Sequence, residues 1–294
     1  MPEEYLPQQR ARTAFVALIA GDDADIDLAR AALLIANEEY PELDIAHYIE
    51  QLDGLAERVR ELVGLCPSEK LSQASSKPEM IDVLLAINSV LFDQEHFSGA
   101  EKNYYNPRNS FLNDVLERHT GIPITLSLIY IEVGKRLGVQ MDGIGLPLHF
   151  VVRCRLTDEV IYIDPYDGGR LLSEQECRAL VYRLLRGKAI FNPRWLEPVS
   201  KRQFLVRMLS NLKHIYVSKK DFVRALSICD RLLLLVPDAA VERRDRGIVH
   251  LQLKHHARAL RDLKAYVELE PEADDAAEVR RQISAIRQII AMMN

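Results

Sequence analysis

Long apolar runs are missing from this chain of 294 residues, and with them any candidate membrane span, which needs about 18 consecutive apolar residues. The first residues, MPEEYLPQQR, are acidic and polar where a secretory leader is basic and then apolar, so a cytoplasmic protein is expected. Cysteine is scarce. Cys66, Cys154, Cys177 and Cys229 form no CxxC pair and no ligand-like spacing with the eight histidines, which argues against a disulfide framework or a zinc site and predicts buried, reduced thiols. There is no GxGxxG, Walker A loop, GxSxG elbow or HExxH, so the common nucleotide, hydrolase and zinc-protease chemistries find no motif, and neither metal nor other cofactor is expected. Glycine and proline, 13 of each, are too few for a low-complexity chain.

What is present is 48% hydrophobic and 28% charged, the composition of a soluble, helix-rich globular protein with room for two domains. The net charge of −5 hides an asymmetry. From residue 200 onward 18 Lys and Arg face 12 Asp and Glu, a balance of +6, which leaves −11 for residues 1–199. The segment FNPRWLEPVSKRQF, with two prolines and the only Trp, lies at this change and predicts a boundary between domains 1–199 and 200–294. The basic residues after 200 are interspersed with acids, so nucleic acid is not an expected partner.

The N-terminal third has helical periodicity. Ile45, Ile49, Leu52, Ala56, Val59 and Val63 recur every three or four residues, with Gly64 placed to end the helix; DLARAALLIANEEYPEL before it and KPEMIDVLLAINSVLF after it read the same way. KNYYNPRNSFLNDVLERHTG is an aromatic, Asn-rich loop running into a helix with Ser110 as its expected cap. GIPITLSLIYIEVGKRLG then opens a buried helix, Pro123 in its first turn and Ile124, Leu128, Ile131 and Leu137 on one stripe. Beyond it the period changes to two. LPLHFVVRCRL and EVIYIDP are strands around Thr157-Asp158, and a two-residue loop would set Leu156 opposite Glu159 and Val151 opposite Asp164, with His149 diagonal to Asp164 on the same face. A one-residue slip would separate them. Ser173 and Glu176 form a capping box for a following helix.

The C-terminal part contains a repeat. Ala225, Leu226 and Pro237 recur as Ala259, Leu260 and Pro271, each 34 residues on, which is the tetratricopeptide period. Two helix-turn-helix units are predicted, with AAEVRRQISAIRQIIAMM as a capping helix. His255-His256 falls on a repeat helix and is expected in solvent.

NPRNSFL, GIPITLS, PLHF and IDPYDGG, followed by these repeats, resemble the bacterial SirB1 family from about residue 30 to the end. The resemblance implies an α+β fold: a papain- or transglutaminase-like domain with an antiparallel sheet and many helices, then an all-α tetratricopeptide domain. A similar domain in a eukaryotic F-box protein implies a module reused for interaction. Carried over from the transglutaminase-like triad, His149 and Asp164 match the base and the orienting carboxylate. The nucleophile does not match. Where active relatives have Cys at the helix start, this chain has Pro123 or Ile124, and Cys154 lies an odd number of residues from His149, on the opposite face of a strand.

Two functions follow. One is a non-catalytic interaction, adaptor or regulatory protein with His149, Asp164, Asn106, Arg108, Asn109, Thr125 and Ser127 as candidate cleft residues. The other is a hydrolase or acyl transferase in which Thr125 or Ser127 replaces the thiol, with His149 as base. The partner expected is a protein or peptide. Arg207, His214, Arg244, Lys254 and Arg258 in the repeats favour an acidic one, or the chain's own acidic half.

Overall fold

The computed structural model describes residues 5–65, 77–156, 159–188 and 190–293. Cys66 and the Thr157-Asp158 connection lie outside the described residues. The chain divides into two compact units, Met1–Leu205 and Val206–Asn294.

The first unit opens with helices α1 (Tyr5–Ile19), α2 (Leu28–Glu39), α3 (Ile45–Leu62) and α4 (Lys77–Asn88). Helices α2 and α3 start where an aspartate can serve the exposed first-turn amides: Asp27 accepts from the Arg30 N–H at 3.0 Å, and Asp44 from that of Ala46 at 3.0 Å. Gly64, at φ 69°, follows the end of α3 as expected. Helix α1 was not evident in the sequence, yet Ala11, Phe15 and Ile19, four apart, bury its inner face. Helix α4 runs directly into a π turn, Ser89–Gln94.

A two-residue strand β1 (Ser98–Gly99) then pairs in parallel with β2 (Thr120–Gly121). Between them lie a 3-10 turn, Pro107–Asn109, and helix α5 (Leu112–Arg118). Ser110 does not cap α5. The turn draws the Ser110 N–H onto the Pro107 carbonyl at 2.8 Å, its hydroxyl is buried, and Phe111 takes the cap position.

Helix α6 (Pro123–Leu137) is the spine of the unit. Every residue from Pro123 to Gly134 is buried, because α2 to α5 pack on one side of it and the sheet on the other. The sheet contains β3 (Met141–Ile144), β4 (Val151–Arg155), β5 (Val160–Asp164) and β6 (Arg170–Leu172), all antiparallel in that order. Met141 of β3 lays its thioether over Gly134, where an added Cβ would lie 2.8 Å from it. The far face of the sheet, with Val151, Tyr162 and Leu172, buries Cys177 and Val181 of α7 (Glu174–Leu184). Ser173 and Glu176 form the expected capping box of that helix. The β4–β5 register is the one expected of a two-residue connection: Val152 is opposite Ile163, and the Leu156 N–H donates to Glu159 at 2.8 Å.

Helix α8 (Lys201–Ser218) contains the division between the units, a few residues beyond the proline-bearing segment. The second unit continues with α9 (Phe222–Leu235), α10 (Ala240–Gln252), α11 (His256–Leu269) and α12 (Ala276–Met293), joined by short turns. Its core includes Ala259, Leu263, Tyr266, Val279 and Ile283. Ala259 is fully buried, and a side chain at Gly247 of α10 would meet Leu263 of α11 at 2.9 Å. Small residues thus set the spacing of these helices. Arginines stitch the same unit: Arg246 holds Asp262 of α11 at 2.7 Å and Asp230 of α9 at 3.0 Å. No described helix is long and apolar enough to cross a membrane.

Candidate functional site

Asp164 ends β5, and its carboxylate has two tasks. Oδ1 accepts from the Tyr166 N–H at 3.1 Å, capping the 3-10 turn Pro165–Asp167, while Oδ2 lies 2.8 Å from His149 Nε2. His149 is not within a strand. Leu148 holds a left-handed φ of 61°, the His149 N–H donates to Leu146 at 3.1 Å, and β4 begins only at Val151. Strand alternation therefore does not govern where His149 points relative to Cys154, although the register still brings it to Asp164. Both residues are buried, at 7% and 4% exposure, so each satisfies a polar group that water does not reach.

The turn after β5 explains IDPYDGG. Gly168 and Gly169 have φ of 63° and 74°, and an added side chain at Gly169 would strike Asn88 Oδ1 at 2.1 Å. Asn88 in turn donates to the Gly169 carbonyl at 2.8 Å. Tyr166 packs on Gly99, donates its hydroxyl to Ala100 at 3.2 Å, and sets its ring edge-on to His149 at 5.8 Å. Tyr166 and Asn88 are parts of the site that the sequence reading missed; the Tyr inside the DPYDGG motif was the available signal.

Chemically, the Asp164 carboxylate fixes the imidazole through Nε2 and makes Nδ1 the atom that would exchange a proton with a nucleophile. Pro123 and Ile124 form the first turn of α6 and supply no nucleophilic atom. Thr125 is engaged elsewhere: its hydroxyl accepts from the Ile122 N–H at 3.0 Å and faces the carbonyls of Asn109 at 2.9 Å and Ile122 at 3.0 Å. Ser127 is fully buried, and its hydroxyl makes no hydrogen bond among the described residues. Burial pushes the thiols of Cys154 up to about 11 and of Cys177 and Cys229 up to about 12, far from the range of an activated thiolate.

The Asn-rich loop is turned on itself. Asn106 Oδ1 accepts from the Arg108 N–H at 3.1 Å, and Asn109 donates to the Asn103 carbonyl at 3.0 Å while accepting from Arg118 at 3.0 Å. Arg108 binds Asp114 at 2.5 Å, and Tyr40 donates to the same carboxylate at 2.5 Å, so burial and then Asp114 raise the Tyr40 phenol. The structure brings His149 to Asp164, whereas Asn106, Arg108, Asn109 and Thr125 hold the loop and the start of α6. Among the described residues no group of three or more His, Cys, Asp or Glu is arranged to hold a metal.

A buried helix start, a histidine ahead of one strand and an aspartate at the end of its neighbour define a transglutaminase-like domain. Residues 46–210 match the model of the transglutaminase-like superfamily and residues 212–284 that of the tetratricopeptide repeat. The chain belongs to the transglutaminase-like superfamily, within the repeat-bearing, SirB1-like family expected from its motifs. It is 39% identical over 262 residues to a UPF0162 protein of Xylella fastidiosa, covering 88% of this chain and 89% of that one. A UPF0162 protein of Vibrio cholerae is 31% identical over 198 residues, 67% of this chain and 73% of its own. F-box only protein 21 of Mus musculus is 37% identical over 138 residues, 44% of this chain and 21% of that protein. No solved structure matches the chain.

Proposed function

We propose that this is a non-catalytic interaction protein of the cytoplasm, an adaptor or regulator in which a transglutaminase-like domain has kept its His–Asp pair without a nucleophile. What supports this reading is the first turn of α6: aligned to the transglutaminase-like triad, the thiol falls at Pro123 or Ile124, and the next hydroxyl, Thr125, is consumed by the turn. Unpaired thiols at Cys154, Cys177 and Cys229 are in keeping with a reducing compartment. The tetratricopeptide unit supports protein binding, since stacked repeats present an extended surface.

The partner is a protein segment with acidic residues. Arg244 is committed to Asp245 and Asp275, but Lys254 and Arg258 are exposed. The hydrolase alternative, with Thr125 or Ser127 as nucleophile, has less support because Thr125 has its hydrogen bonds at Ile122 and Asn109 and Ser127 is buried.

Affinity capture from the native host tests the proposal. The full chain should retain a defined partner that the Lys254→Glu, Arg258→Glu double variant loses. A partner set unchanged in that variant would contradict the acidic-segment reading, and no partner at all would contradict the adaptor reading.

A further inference from the structure

Away from His149 and Asp164, the first unit has a cavity of about 480 Å³ between α3, residues 95–97 that follow the π turn, and the end of α5. Its floor is apolar. Leu55, Phe97 and Leu116 are buried there, and the His119 ring stacks on Phe97 at 4.4 Å. The rim is polar and carries Arg58, Glu95 and Glu117.

Backbone irregularities aim these groups. The π turn ends at Gln94, immediately before Glu95, and an extra residue in a helical turn redirects whatever follows it. His96 and His119 both hold left-handed φ, 58° and 52°. The His119 ring bonds the Glu95 carbonyl. Such conformations are costly for residues other than glycine and are retained where the surroundings enforce them.

The charges on the rim are unequal. Arg58 pairs with Glu95 and donates to Gln94 at 2.7 Å, so Glu95 already has a cation. Glu117 accepts the Tyr48 hydroxyl and makes no ion pair among the described residues. Burial, and then His96, hold His119 below its ordinary pKa, so near neutral pH it adds no positive charge. The pocket therefore has, above a floor of aliphatic and aromatic carbon, one carboxylate without an ion-pair partner among the described residues, met by the Tyr48 hydroxyl and by the field of Arg108. An acidic group would be repelled there, and a neutral one would gain nothing from the carboxylate's charge. A long cationic side chain meets both demands, because its stem is apolar and its head charged. The −11 balance of residues 1–199 also draws basic surfaces toward this unit.

We propose that this pocket receives a lysine or arginine side chain of a partner protein, its stem against Leu55, Leu116 and Phe97 and its head on Glu117. The site is separate from the His149–Asp164 pair and does not depend on the reading given to that pair.

Fluorescence anisotropy of the full chain with a dye-labelled peptide of alternating Gly and Arg, and with the same peptide bearing neutral citrulline, tests this. The Arg peptide should bind saturably and the citrulline peptide much more weakly. Glu117→Gln should weaken the Arg peptide about two- to fivefold, as suits an exposed ion pair. Arg58→Gln should tighten it, because removing the resident cation frees Glu95 for the incoming one. Glu117 is exposed and Arg58 half-exposed, so both variants should fold, which circular dichroism verifies. Equal affinity of parent and Glu117→Gln, or weaker binding by Arg58→Gln, would overturn the proposal and place the peptide elsewhere on the acidic unit.

Discussion

The His149–Asp164 pair was legible in the sequence because a two-residue connection fixes the β4–β5 register and so sets the start of β4 beside the end of β5; the turn through Leu148 that aims His149 was not. The state of Thr125 was not legible. Its acceptor, the Asn109 carbonyl, lies 16 residues away in a loop whose path no periodicity describes. His250 is a second case. It was not singled out in the sequence, yet it is buried with Nδ1 3.3 Å from His255 Nδ1, and Arg246, Asp230 and Asp262 are the other charged groups around it. Burial is the largest influence on it and lowers its pKa, the two aspartates oppose that, and Arg246 and His255 add to it. His119 is lowered as well. A histidine whose folded pKa is depressed takes up its proton first in the unfolded chain. Stability should then be level above the unfolded value of about 6.5 and fall as the pH drops below it, until the folded form is itself protonated. Thermal denaturation between about pH 8 and pH 5 should show this fall. A His250→Gln variant should fall less steeply over that window; equal slopes would mean that His250 does not contribute.

At the scale of elements, Ala259 shows how a repeat is held. It is fully buried in α11 within the cluster of Leu263, Tyr266 and Val279, so Ala259→Leu has no room to enter without displacing a neighbour. The expected loss is about 1–3 kcal/mol, measured by chemical denaturation of the full chain followed through the second unit. An unchanged midpoint would count against close packing at this position. The matched Ala-Leu and Pro offsets made these helices readable, as did the hydrophobic period of α2 to α4. Helix α1, strands β3 and β6 and the π turn were not readable. MDGI and RLL are too short for a period-two signal, and their pairing is decided by neighbours far off in sequence. A π turn shifts backbone hydrogen bonds by one residue and leaves no mark on composition. Ser110 was misassigned as a cap for a related reason: an N-cap residue type was present, but a 3-10 turn had already taken its backbone.

For the whole molecule, the charge split between −11 and +6 underlies the two partner surfaces proposed above. Much of the repeat charge is answered internally, Lys213 by Glu242 and Asp245, Arg246 by Asp230 and Asp262, so exposed residues such as Lys254 and Arg258 define what an acidic segment would meet. The central claim is that a transglutaminase-like site persists here without a nucleophile. Intact-mass measurement of the folded chain after treatment with a fluorophosphonate, and separately with iodoacetamide, tests it most directly. The account predicts no stoichiometric fluorophosphonate adduct on the native protein, and alkylation of the buried thiols Cys154, Cys177 and Cys229 only after denaturation. A single adduct on Thr125, Ser127 or a cysteine of the native chain, abolished by His149→Ala, would contradict it.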